Sequence, residues 1–308
     1  MTRRSNAARP VLSMKHAINT IIGFLAVTLL KTVRLTNPDR LANLGGAIMR
    51  RLGPWLPEHR VGQANIAFVF PEKSDAEREQ ILIGSWDNLG RIAAEFAHLD
   101  RLWDHDPARP GQGRMLESDE AYARMVQMRD DGKPALVFSA HLANWELPAV
   151  AATFYGLDTT VLYRPPNVSA IADAVVKMRA GIMGRLIPTG LDAPVRVAEA
   201  LEHGSHVAML VDQYATRGVD VTFFGRAART NPLIARLAQH FDCPIYGVHM
   251  VRHPGNRFRL ELTEPISAVR DDAGNVDVRQ TMQRINDIVE GWVREHPEQW
   301  LWLHRRWR

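Results

Sequence analysis

The sequence predicts an α/β fold: a central mixed sheet flanked by helices, preceded by a helical subdomain and an N-terminal membrane-anchoring helix. Three observations carry this expectation. Beyond residue 110, short runs rich in Val, Leu, Ile and aromatics alternate with amphipathic stretches, the pattern of strands and the helices that cover them. Before it, residues 38–103 follow helical rather than alternating periodicity. At the start, a charge-free apolar run follows a group of basic residues.

In residues 1–35, Arg3, Arg4, Arg9 and Lys15 precede HAINTIIGFLAVTLL, which carries no charge until Lys31. As a helix this run reaches about 22 Å at the usual rise, short of the roughly 30 Å of bilayer hydrocarbon. It therefore reads as an interfacial or shallow anchor, with an ordinary core helix or a cleaved signal sequence as the other readings. No A-x-A-like site follows the run. Basic residues on both sides leave its orientation open.

Residues 36–110 form the helical subdomain. In SDAEREQILIGSWDNLGRIAAEF, Ser74 is the N-cap and Glu77 completes a capping box, while Ile81, Trp86, Leu89, Ile92 and Phe96 recur at helical spacing. The Pro- and Gly-rich stretch 104–113 reads as the loop that ends this part.

Residues 111–308 form the α/β core. PALVFSA, TTVLYR, RLIPT, HVAMLVD, VTFF, PIYGVHMV and RFRLELTEPI are the expected strands. NWELPAVAATFYG, VSAIADAVVKMRAGIMG, APVRVAEALEHG and NPLIARLAQHF are the expected helices, and Val278, Met282, Ile285, Val289 and Trp292 mark one face of a closing helix. With 308 residues and 46% hydrophobic content the chain can bury a large core. A net charge of +4 favours anionic partners, but the basic residues are scattered and no recognition motif appears, so no nucleic-acid partner is expected. The lone Cys243 excludes an internal disulfide and sits in what reads as a buried strand.

The stretch FSAHLANWELP sets His141 and Glu146 five positions apart. On one α-helix those residues would diverge by about 140°, so the pair makes sense only across a corner from strand to helix. His141 then stands at the carboxyl end of a strand, where open α/β sheets place their sites, and Glu146 in a first helical turn, where the dipole favours its charge. A carboxylate that fixes one imidazole nitrogen leaves the other free to deprotonate an alcohol. A loop histidine beside a capping glutamate is the other reading of that spacing. Ser139 lies outside any G-x-S-x-G context, which favours direct attack by a substrate hydroxyl. One His and one Glu without a third ligand make a poor zinc site, so no metal is expected.

H-x4-E after a buried strand resembles the H-x4-D/E signature of glycerolipid-type acyltransferases. Further blocks in order resemble the late acyltransferases of lipid A biosynthesis: RVGQANIAFVFPEKSDAERE, LYRPPN, MLVDQYATRGVDVTFFGRAARTNP and PEQWLWLHRRWR. The resemblance runs from the N-terminal segment to the last residues. It implies a glycerolipid-acyltransferase-like fold and transfer of a fatty acyl chain from an acyl carrier protein thioester to a hydroxyl of a Kdo-lipid A precursor, without a cofactor, at the cytoplasmic face of a bacterial inner membrane. Carried onto this chain, His141 is the base and Glu146 its partner, with Arg164 meeting a phosphate or the developing oxyanion. Asp212, Gln213 and Arg226 are expected to bind substrate. The Trp and Arg residues of the tail suit a membrane interface, with tail packing as the alternative. Another lipid acceptor (a lysophospholipid, ornithine lipid or glycolipid) and a non-catalytic lipid-binding role are the competing readings.

Overall fold

The computed structural model describes residues 28, 32–106, 109, 111–166 and 169–308. Most of the expected anchor, residues 1–27 and 29–31, lies outside them, and among the described residues no helix is long and apolar enough to cross a membrane.

Prolines and caps set the helix starts. Asn37 accepts the amides of Asp39 and Arg40 to open α1 (Pro38–Leu52), and a proline also opens α2 (Pro57–Val69). The expected capping box between Ser74 and Glu77 opens α3 (Asp75–Glu95), and a short α4 (Leu99–Leu102) follows. α1 and α3 pack closely because Gly45 and Gly90 face each other; a Cβ on either would collide with the other's carbonyl oxygen.

The core runs β1 (Met115–Glu117), α5 (Asp119–Asp130), β2 (Leu136–Ser139), α6 (Leu147–Phe154), β3 (Thr159–Tyr163), α7 (Ser169–Arg179), β4 (Arg185–Pro188), α8 (Ala193–Glu202) and β5 (His206–Leu210). It continues through β6 (Val219–Phe223), β7 (Arg226–Thr230), α9 (Leu233–His240), β8 (Ile245–His253), β9 (Arg257–Leu262) and α10 (Val278–Glu295). Sequence reasoning missed β1, α5 and β7. β7 reads RAART, short and basic, and it pairs only because Phe224 and Gly225, both at positive φ (53° and 75°), make the two-residue turn that folds it onto β6.

Seven strands form one sheet in the order β1-β9-β8-β2-β5-β3-β4, with β8–β9 antiparallel and every other neighbouring pair parallel. Each strand alternates its side chains between two faces. Leu136, Phe138, Val207 and Met209 join α8, α9 and α10 in one apolar core, while Val137 and Val248 join α5 and α6 in the other. From β2 the chain crosses by α6 toward β3 on one side; from β5 it goes by α9 to β8 on the other. These opposite departures leave a crevice above the carboxyl ends of β2 and β5, the switch point at which such sheets bind ligands.

The C-terminal tail does not present its aromatic rings to solvent. Trp300, Trp302, Trp307 and Arg306 are buried in the body, at 2%, 0%, 9% and 0% exposure. Trp300, Trp302 and Trp307 pack edge-on, tilted or stacked with Phe70, Phe223 and Phe224, and the Arg306 guanidinium reaches the carbonyl of Arg229 and the Asn286 side chain. This corrects the expectation of a tail that meets lipid: the basic and aromatic groups are taken up by internal packing, with Arg305 and Arg308 left at the surface.

Candidate active site

β2 and β5 are in parallel register, Ser139 opposite Leu210. Two residues further on in each chain stand His141 and Asp212, so the pairing carries an imidazole and a carboxylate to the same level above the sheet. Asp212 Oδ1 accepts from His141 Nδ1 at 2.7 Å, and Oδ2 accepts the His141 backbone N–H at 2.8 Å and the Trp300 indole N–H at 2.8 Å. With Nδ1 donating, Nε2 keeps its lone pair, and the Gln213 side-chain amide donates to it at 3.1 Å. Asp212 is 3% exposed. Burial pushes its carboxyl up, but electrostatic attraction to the His141 ring and the hydrogen bonds from His141 and Trp300 outweigh that and hold it at about 2.

The expected contact between His141 and Glu146 is absent. Glu146 stands at the start of α6 as expected but makes no capping hydrogen bond; its carboxylate takes two hydrogen bonds from Arg179, one of 2.9 Å from Nε. The physical reason is the turn itself. Ala143 sits at φ 45°, a strained value for a residue with a Cβ, and the Asn144 side chain accepts the Glu146 amide and donates to buried Glu95. The bend sends Glu146 toward α7 while His141 stays over the sheet.

That loop is pinned by α3 and the tail. Asn88 donates to the carbonyls of Ala143 and Gln299, Ser85 to the carbonyl of Trp300, and Glu95 is held by Arg252. The Leu301 amide donates to the carbonyl of His141, and Leu142 bridges Trp300. His304 Nε2 accepts the Tyr214 amide one residue past Gln213; burial lowers this histidine to about 4.

A cavity of about 910 Å³, lined by His141, Glu146, Gln213 and Tyr214, runs between the sheet and helices α5, α6 and α7. Its walls are mostly apolar, including Met125, Met128, Ala149, Val161 and Ala208. Arg164 is exposed at the lining, and Arg179 lies over the rings of Phe96 and Tyr163. Arg226 is elsewhere, exposed and over the Phe68 ring. Thus His141, Asp212 and Gln213 are brought together, Glu146 and Arg164 share the cavity, and Arg226 does not join them. Cys243 is away from the site, and burial and Asp242 push its thiol up to about 11, which suppresses a thiolate.

Residues 12–308 match the family of bacterial lipid A biosynthesis acyltransferases. The chain belongs to that family. A lipid A biosynthesis palmitoleoyltransferase of Escherichia coli (strain K12) is 25% identical over 277 residues, 87% of this chain and 85% of that protein. A phosphatidylinositol mannoside acyltransferase of Mycolicibacterium smegmatis is 25% identical over 229 residues, 70% of this chain and 72% of the relative. A lipid A biosynthesis acyltransferase of Shigella flexneri matches 87% of the chain at 25% identity. As a member of the lipid A acyltransferase family the protein is an O-acyltransferase. Within it, Asp212, Gln213, Asn144, Asn88, Glu95 and Trp300 make up the His141 setting. The signal that could have paired His141 with Asp212 was present: each stands two residues beyond a buried strand.

Proposed function

We propose that the protein moves a fatty acyl chain from an acyl carrier protein thioester onto a hydroxyl of a Kdo-lipid A precursor, with His141 as general base and Asp212 as the group that holds it. The observation that supports this is the Asp212–His141 pair at the lining of a large, mostly apolar cavity. The acyl chain lies in the cavity and the acceptor hydroxyl takes the position at Nε2 that the Gln213 amide holds. Nε2 removes the hydroxyl proton as the oxygen attacks the thioester carbonyl. The tetrahedral intermediate collapses with loss of the thiolate, which takes the proton back from His141. Asp212 stabilises the imidazolium formed between those steps. Arg164 at the rim meets a phosphate or the carbonyl oxygen as it gains charge. Glu146, neutralised by Arg179, shapes the wall beside them.

The body works at the cytoplasmic face of a bacterial inner membrane in this reading. Leu44, Ile48, Leu52 and Trp55 support it: they recur along one side of α1 and the turn after it, 44–83% exposed, beside exposed Arg40 and Arg51. The mannoside acyltransferase relative favours a second reading, in which the acceptor is another glycolipid. Mass spectrometry of lipid A from a strain lacking this chain, with the wild type or His141→Ala restored, decides. Loss of one acyl chain, regained only with the wild type, is expected; lipid A of unchanged mass in the deletion strain points to the other acceptor, and full rescue by His141→Ala removes the base.

A further inference from the structure

The end of the cavity away from His141 is walled by buried side chains. On β3 and β5 exposure falls toward the amino ends of the strands, and the groups lining that end, Met128, Leu157, Thr159, Met183 and His206, are all buried. Thr159 and His206 are register partners on adjacent strands, so they close the floor at one level. His206 opens β5 and Asp212 stands two residues past its end, so at the extended rise those six residues place the floor at most about 20 Å from the reacting end. Above the floor the wall is apolar or small, with Val137, Val161 and Ala208 on the same face.

His206 is the exception in this wall. It is 5% exposed, and its Nδ1 has no hydrogen-bond partner among the described residues. Burial lowers its pKa below the ordinary histidine value, so the ring stands neutral. A flat ring with an unsatisfied nitrogen is a poor surface to push an alkyl chain past, because a methylene there gains no water-free partner for that nitrogen.

We propose that His206, with Thr159 beside it, is the end-stop that sets the longest straight fatty acyl chain the enzyme accepts, with the terminal methyl resting against the imidazole. This rests on reading the cavity as the acyl site. An extended chain of single bonds advances about 1.2 Å per bond, as an extended polypeptide does, so the channel takes on the order of fifteen carbons.

The test is a binding series with the full chain: saturated fatty acids of graded length, measured by displacement of a fluorescent fatty acid, with no donor or acceptor present. For the wild type, affinity rises with length to a cutoff and then falls. His206→Ala is expected to move the cutoff to longer chains, with about tenfold tighter binding of the acid two methylenes beyond it. Ala208→Leu, which narrows the channel above the floor, is expected to move the cutoff to shorter chains. A cutoff that stays put in both variants, or that moves only in Ala208→Leu, overturns the end-stop, as does a wild type that binds no fatty acid. A normal cutoff in a protein that transfers acyl chains to no acceptor leaves the end-stop standing and removes the acyltransfer reaction proposed above.

Discussion

Asp212→Asn keeps the size of the side chain beside His141 but removes the charge that stabilises an imidazolium. Turnover is expected to fall about 10²–10⁴-fold, the range of general acid–base contributions. Glu146→Gln is expected to lose less, because Glu146 is hydrogen-bonded to Arg179 and not to the base. Steady-state rates of the two variants side by side check this; an equal loss would return the partner role to Glu146. Ser139 lines the cavity, yet its hydroxyl has no hydrogen-bond partner among the described residues. With no base on it, Ser139→Ala is expected to keep turnover within about tenfold of wild type, since no activated nucleophile is lost. Accumulation of an acyl-enzyme that this variant abolishes would show instead a two-step route.

At the scale of elements, α3 acts as the clamp for the catalytic loop. Its Glu95, 1% exposed, binds Arg252 of β8 and the Asn144 side chain. Arg252→Met strands that carboxylate in the interior and is expected to destabilise the fold by about 3–5 kcal/mol in urea titrations. Adding Glu95→Gln should recover part of the loss, because the uncompensated charge is then gone. A single variant as stable as wild type would show that the pair is not what holds the loop. The same element view explains why the tail was misread: alternating Trp and Arg suits both a membrane interface and an interior rich in carbonyl acceptors, and only the packing of α2, β6 and β7 around it distinguishes them.

For the whole molecule, acid weakens the fold through histidines that are buried neutral. His249, stacked on Trp292, and His304, behind Gln213, are both lowered to about 4, chiefly by burial. The unfolded chain's imidazoles titrate near 6.5. Between those values the unfolded state binds more protons than the native one, so stability rises with pH in that window and is lost as pH falls from about 6.5 to about 4. Asp212 behaves likewise lower down: its depressed carboxyl adds stability above the unfolded value, lost as pH falls toward about 2. A melting temperature that drops by several degrees between pH 6.5 and 4 is the expected result, and a flat profile across that window would contradict it.

Most strands and helices, the Ser74 cap and the place of His141 at a strand end were legible from the sequence, because periodicity, prolines and the Ser74–Glu77 box act within a few residues of themselves; β1, α5 and β7 were not. So was the family resemblance, carried by short blocks in order. The partner of the base was not. His141 and Asp212 stand 71 residues apart, and they meet because β5 inserts between β2 and β3 in parallel register, a choice made by the whole sheet. Glu146, five residues from His141, is turned away by the bend at Ala143. Nearness along the chain gave no contact, and strand order decided the one that forms.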